Sequence, residues 1–163
     1  MAIVKSTRHP KIIGEFGELA VCNWLSRSGF EVARIDHTGI DVIAYNPRTR
    51  QRLGITIKSR TRTEGSENAS VSLFSYRNGK DDRKKALAAC EAFGCDPWLA
   101  VYVEATDDAD IFLTSLANYD AKYRRPGAAT DDWKMMPEQR REYAADRAIK
   151  HVRIIFDKHN WAW

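Results

Sequence analysis

The sequence lacks several features that would assign it to common functional classes. It has no run of 18 or more apolar residues and no apolar N-terminal stretch, so neither a membrane-spanning helix nor a secretory signal is expected. Its three cysteines form no CxxC pair, and its four histidines show no ligand-like spacing such as i, i+4. We therefore expect a cytoplasmic protein with reduced cysteines and without a zinc site.

Length and composition favour one compact unit. The chain has 163 residues, of which 44% are hydrophobic, enough for one substantial core but not for two ordinary domains. We expect a single domain over residues 1–163, with a C-terminal helix-and-strand extension at about 115–163.

Positive charge is concentrated in the first part of the chain. The net charge is only +4, yet residues 1–62 contain 11 Lys and Arg against 5 Asp and Glu. This density suits the neutralisation of DNA phosphates, although a solvated hairpin explains the charge equally well. The candidate DNA-binding residues are Arg48, Arg50, Arg52, Arg60 and Arg62.

The hydrophobic pattern predicts an α/β fold. A helix is expected from Pro10 to about Ser28, and a second helix is expected to begin at Asp81 or Asp82. Strands are expected at 30–35, 40–45 and 53–59, a possible short strand at 71–74, a central strand at 98–103 and its neighbour at 111–114. The order of the main elements is α-β-β-β-α-β, which predicts a mixed sheet flanked by helices.

In the first helix, the pattern places five residues on one apolar face: Ile12, Phe16, Leu19, Ala20 and Trp24. In the last third of the chain, it predicts a short helix at 116–123, a charged surface helix at 137–149 and a closing strand at 152–156.

Three ionisable residues interrupt otherwise apolar patterns. Glu18 is in line with two apolar residues of the first helix, Asp41 lies within the strand GIDVIAY, and Lys58 ends the strand LGITIK. If the last two strands form a hairpin, the carboxylate of Asp41 and the ammonium of Lys58 meet on one surface. Two carboxylates and a lysine could hold Mg²⁺ and position a phosphate. Taken singly, each has a structural explanation: a surface charge, a strand cap or an edge-strand lysine.

The stretch GEFGELAVCNWLSRSGFEVARIDHTGIDVIAYNPRTRQRLGITIKSR resembles the archaeal Holliday-junction resolvases of the PD-(D/E)XK nuclease superfamily. The resemblance implies a restriction-endonuclease-like core, DNA as the partner, Mg²⁺ or Mn²⁺ as the cofactor, and a homodimer. It also implies that Glu18 and Asp41 are metal ligands and that Lys58 is the catalytic lysine.

One position departs from the pattern of that superfamily. The acidic residue expected two positions before the lysine is Thr56 here, and a neutral hydroxyl is a weak metal ligand. Glu15, one helical turn before Glu18, is the first candidate for a substitute carboxylate. Three further candidates follow it: Glu64, Glu67 and Glu91.

Three functions remain open at this point. The first is a metal-dependent endonuclease that hydrolyses DNA phosphodiesters, acting on structured or branched DNA. The second is a catalytically silent DNA-binding or accessory protein, because of Thr56. The third is a protein-interaction module anchored by its five tryptophans: Trp24, Trp98, Trp133, Trp161 and Trp163.

Overall fold

The computed structural model describes residues 3–161. This part of the chain has four α-helices and a 3₁₀ turn at Arg77–Gly79. The α-helices are α1 (His9–Arg27), α2 (Asp82–Phe93), α3 (Leu116–Lys122) and α4 (Pro137–Ala145). Eight strands accompany them: β1 (Glu31–His37), β2 (Ile40–Tyr45), β3 (Arg52–Thr61), β4 (Val71–Ser75), β5 (Asp96–Glu104), β6 (Asp108–Ser115), β7 (Thr130–Trp133) and β8 (Ile149–Ile155). None of the helices in this part of the chain is long and apolar enough to cross a membrane.

The main sheet has six strands in the order β1-β2-β3-β5-β6-β8. Only β3 and β5 pair in parallel, and the other neighbours are antiparallel. The segment WLAVYV lies in β5, which is covered on both faces as its continuous apolar sequence predicted. The α/β class and the mixed sheet flanked by helices are thus confirmed.

Helix α1 covers one face of the sheet, but in a different orientation from the one predicted. It buries Ile13, Gly17, Val21 and Leu25, whereas Ile12, Phe16 and Leu19 are half exposed. Of the predicted apolar face, Ala20 and Trp24 are partly buried and do pack against the core. Gly17 explains the rotation, because a Cβ atom there would lie 1.9 Å from Ser59 Oγ and 3.1 Å from Tyr102 Cβ. The helix packs through its smallest residue and leaves a stripe of larger apolar residues in solvent.

The opposite face of the sheet carries α2, α3 and the two-stranded sheet β4-β7. The Asp81 side chain accepts a hydrogen bond from Lys84 N and so caps the start of α2, while Gly94 ends the helix with a left-handed backbone. Strand β7 was not predicted from the sequence; it pairs with β4 and carries the fully buried Trp133. Helix α4 stops at Ala145, and β8 begins at Ile149, earlier than predicted.

The tryptophans are mostly structural. Trp133 is in the core, and Trp24 and Trp98 line an apolar cavity of about 200 Å³ next to α1. Trp161 is 80% exposed, and Trp163 lies outside the described residues. The expectation of exposed anchors is therefore wrong for Trp133, and for the partly buried Trp24 and Trp98 it stays a prediction.

Candidate active site

A cleft of about 200 Å³ opens where the β2-β3 hairpin meets the first turn of α2. The hairpin contributes Asp41, Thr56 and Lys58, and α2 contributes Asp82 and Lys85. Val42 pairs with Ile55 and Ile43 with Gly54, so Thr56 and Lys58 lie on the face of β3 that points away from α1. Three of the four predicted catalytic residues thus line one cleft.

Asp41 is held at the floor of this cleft by a backbone hydrogen bond. Its Oδ2 atom accepts from Ile57 N at 2.6 Å. Burial raises the pKa of Asp41 above its ordinary value, although this hydrogen bond and the charge of Lys58 act in the opposite direction. A cation bound here would favour the ionised carboxylate, so the site suits a positively charged ligand.

Thr56 has a structural partner in the neighbouring turn. Its hydroxyl donates to Gly39 O at 2.6 Å, and the side chain is buried. Gly39 in turn lies against α2, because a Cβ atom at this position would be 2.7 Å from both Lys85 C and Lys85 O. Thr56 and Gly39 therefore fix the distance between the hairpin and the first turn of α2.

Glu18 lies beside the cleft but does not line it. Its Oε2 atom accepts from Arg34 Nη2 at 2.7 Å and from Arg34 Nε at 3.1 Å. Its negative charge contributes to the raised pKa of Asp41, so the two carboxylates lie within electrostatic range. The carboxylate would have to leave Arg34, or share it, in order to reach a ligand in the cleft.

The predicted substitute carboxylates are elsewhere. Glu15 is exposed and lies 3.8 Å from Lys11. Glu67 is exposed and accepts from Gly65 N, and Glu64 and Glu91 are also exposed. None of the four lines the cleft.

Asp82 is the carboxylate that the sequence analysis missed. It lies in the first turn of α2, where Oδ1 is 3.2 Å from Lys85 Nζ and Oδ2 accepts from Ser75 N at 3.4 Å. Burial tends to raise the pKa of Asp82, but the hydrogen bonds from Lys85 and Ser75 and the charge of Lys58 hold it below its ordinary value. From the sequence, Asp82 is predicted only as the start of a helix, and the packing of α2 on the hairpin brings its carboxylate to the cleft.

The donor set of the cleft fits a hydrated Mg²⁺ or Mn²⁺ ion. Between residues 3 and 161, no group of three His, Cys, Asp or Glu side chains is close enough to form a complete protein site. Mg²⁺ normally keeps several waters and takes one or two carboxylates together with substrate phosphates. Asp41 and Asp82 supply these two carboxylates.

The five predicted DNA-binding arginines do not form one continuous stripe. Arg48 and Arg50 lie in the β2-β3 turn, and Arg52 begins β3, roughly 20 Å of extended strand away from Lys58. Arg60 is exposed two residues beyond Lys58. Arg62 is buried and donates to Ala69 O and to Ser70 O, so its predicted contact with DNA is replaced by a role in holding the 63–70 loop.

A second group of basic residues is nearer to the cleft. Helix α2 and the turn before it carry exposed side chains in the segment RNGKDDRKK: Arg77, Lys80, Lys84 and Lys85. Residues 63–163 contain 15 Lys and Arg against 17 Asp and Glu, so their total charge does not reveal this local group.

Comparison with known proteins supports the fold. No family model and no curated protein matches the chain. Among solved structures, it is similar to Hjc, a Holliday junction resolvase from the archaeal hyperthermophile Archaeoglobus fulgidus, with a TM-score of 0.53 and 15% identity. The match covers 74% of this chain and 83% of Hjc. At this identity the likeness establishes a restriction-endonuclease-like fold and leaves the activity to be argued from the cleft.

Proposed function

We propose that this protein is a metal-dependent endonuclease of PD-(D/E)XK type that hydrolyses DNA phosphodiesters. The observation that carries the proposal is the convergence of Asp41, Lys58 and Asp82 in one cleft of a resolvase-like fold. A carboxylate pair beside a lysine can support phosphodiester hydrolysis with Mg²⁺ or Mn²⁺, because the carboxylates hold the ion and the lysine stabilises negative charge on the phosphate.

Each residue of the cleft has a distinct task in this proposal. Asp41 and Asp82 hold the ion, which when bound polarises the scissile phosphate and lowers the pKa of water. Lys58 carries positive charge into the cleft, where it positions the phosphate and stabilises the negative charge that develops on its oxygens. Lys85 holds the Asp82 carboxylate in place through its hydrogen bond.

The proposed partner is DNA, and the proposed assembly is a homodimer. Cleavage of two strands favours a dimer by geometry, because a two-fold axis supplies two clefts. Ile12, Phe16 and Leu19 are 56%, 50% and 52% exposed on α1, and a second copy of the chain could cover this stripe.

A cleavage panel of branched and linear DNAs with Mg²⁺ or Mn²⁺ tests the activity. The wild type should cut at least one substrate, and Lys58→Ala should lower the rate by on the order of 10²-fold, the usual cost of losing a charge-stabilising group. Lys11→Ala is the matched control, because Lys11 is an exposed lysine of α1, on the face of the sheet opposite the cleft. Equal rates for Lys58→Ala and the wild type would contradict the proposed role of the cleft.

The second candidate function is a catalytically silent DNA-binding protein with the same fold. Two observations favour it: the Thr56 hydroxyl is engaged by Gly39 O, and the Glu18 carboxylate is paired with Arg34. A silent protein should bind DNA with strong salt dependence but bind Mn²⁺ weakly and cut no substrate of the panel. In that case Thr56→Glu, which returns a carboxylate to β3, should increase Mn²⁺ binding.

A further inference from the structure

A second polar cavity, of about 320 Å³, lies between α4 and the edge strand β8. One side of α4 contributes Pro137, Arg140, Arg141 and Ala144, which recur at the i, i+3, i+4, i+7 spacing of one helix face. The sheet contributes Asp110, His151 and Arg153. We refer to this cavity as the arginine pocket.

The floor of the arginine pocket is rigid. His151 Nε2 lies 2.7 Å from Oδ1 of the buried Asp110, and the imidazole stacks on Phe112 with ring centroids 4.6 Å apart and planes at 10°. Within residues 3–161, Nδ1 of His151 has no hydrogen-bond partner. The histidine is thus held in one orientation with one nitrogen left for a ligand.

Positive charge exceeds negative charge in the pocket. Three guanidinium groups face one carboxylate, Asp110, which is already bonded to His151 and lies 3.9 Å from Arg140 Nη1.

Arg140 is anchored by Met135 O and Glu67 O, and Arg153 pairs with Asp108. Arg141 is exposed, and in the described part of the chain it makes no hydrogen bond or ion pair. Two anchored arginines and one unpaired arginine around a cavity suit an anion, and guanidinium groups bind phosphate particularly well.

The pocket opens on the same face of the sheet as the candidate active site. Lys58 pairs with Val101, Val101 with Phe112 and Phe112 with His151, so these four residues form one row across β3, β5, β6 and β8. Directly opposed residues point to the same face, and three strand spacings place His151 about 14 Å from Lys58. Val101 and Phe112 between them are fully buried beneath the β4-β7 sheet and α3, so a ligand that reaches both sites passes over this covering layer. That distance is well within one turn of B-DNA, which is about 34 Å long.

We propose that the arginine pocket binds a phosphate group of the DNA backbone at a position remote from the scissile bond. The inference rests on the proposed function, because it assumes that DNA bound at the cleft continues over the layer of β4, β7 and α3 that covers this face of the sheet. A phosphate held by Arg140 and Arg141 would fix the direction in which the duplex leaves the cleft. Contacts to the phosphate backbone set orientation and register, so the pocket would position DNA without reading its sequence.

Arg141→Ala tests the proposal with little risk to folding, because Arg141 is exposed and unpaired. The affinity for a duplex long enough to span both sites should be measured in EDTA over a range of salt concentrations. Loss of one phosphate contact should reduce the slope of log K against log salt by about one unit. It should also weaken binding at low salt by about tenfold. Arg141→Lys should restore the slope, because a lysine still neutralises one phosphate.

Arg125→Ala is the matched control, an exposed arginine that lies outside the pocket. It should bind DNA like the wild type. If Arg141→Ala also binds like the wild type while the wild type cuts DNA, the pocket inference is overturned and the proposed function stands. If the wild type neither binds nor cuts DNA, both are overturned.

A titration with inorganic phosphate, followed by the NMR signals of His151, separates the two possible sources of the anion. If the pocket binds the DNA backbone, a short duplex should shift the NMR signals of His151, and Arg141→Ala should abolish these shifts. Saturable shifts with inorganic phosphate, combined with an unchanged DNA salt slope in Arg141→Ala, would assign the pocket to free phosphate and overturn the proposal.

Discussion

Gly39→Ala should destabilise the protein more than an ordinary glycine substitution, because Gly39 joins the hairpin to α2 at the candidate active site. Gly39 has φ +111, a conformation that costs an alanine about 1–2 kcal/mol. The new Cβ atom would also lie 2.7 Å from Lys85 C and 2.8 Å from Ala86 N, and such overpacking costs about 1–3 kcal/mol. The expected loss in the free energy of unfolding is therefore about 2–5 kcal/mol, measured by urea denaturation.

Gly65→Ala is the control for the backbone component alone. Gly65 has φ +82, but a Cβ atom there would have no neighbour within 4 Å. We expect Gly65→Ala to cost about 1–2 kcal/mol. Gly39→Ala should also weaken Mn²⁺ binding, because α2 must move away with Asp82, whereas Gly65→Ala should not. Equal losses of stability for the two variants would refute the reasoning that Gly39 sets the approach of α2.

Three further predictions follow from individual residues. Burial raises the pKa of Asp41, so between the pKa values of the unfolded and folded states the folded protein keeps a proton that the unfolded chain has lost, and stability should fall as pH rises through this range. In thermal unfolding without metal, Asp41→Asn should therefore be more stable than the wild type at pH 7. A less stable variant would contradict the raised pKa of Asp41. Arg60→Ala should lower the slope of log K against log salt for DNA binding by about one unit and leave stability unchanged. Arg62→Ala should lower stability, since Arg62 donates to Ala69 O and Ser70 O. A lowered slope in Arg62→Ala together with lowered stability in Arg60→Ala would contradict both roles. If α1 forms the dimer contact, the double variant Ile12→Gln and Leu19→Gln should sediment as a monomer at concentrations where the wild type is a dimer, and a wild type that is monomeric throughout would refute the dimer.

The sequence predicted the elements of the core but not the orientation of its first helix. Alternating and continuous apolar runs located β2, β3 and β5, because the period of a strand is local information. The buried face of α1 was predicted wrongly because hydrophobicity favoured Ile12, Phe16 and Leu19, while the packing is set by Gly17 against Ser59. A glycine contact of this kind carries no signal in a hydrophobic pattern.

The candidate site was also predictable only in part. Asp41 and Lys58 interrupt local patterns, and both line the cleft. Asp82 could not be distinguished from an ordinary acidic residue in the first turn of a helix, since only the tertiary contact between Gly39 and α2 brings it to the cleft. Arg62 looked like its exposed neighbour Arg60, because no hydrophobic or charge pattern shows that the loop directly after it folds back to accept its hydrogen bonds at Ala69 O and Ser70 O.

The most direct test of the proposed active site is a calorimetric Mn²⁺ titration of the wild type, Asp82→Asn and Asp81→Asn. Asp81 caps α2 through Lys84 N but does not line the cleft, and asparagine is an equally good cap, so Asp81→Asn controls for changes in the helix start. The wild type and Asp81→Asn should bind Mn²⁺ with the same affinity, and Asp82→Asn should bind at least about tenfold more weakly. Binding by Asp82→Asn equal to that of the wild type would contradict the assignment of Asp82 as the carboxylate that replaces the acidic residue missing at Thr56.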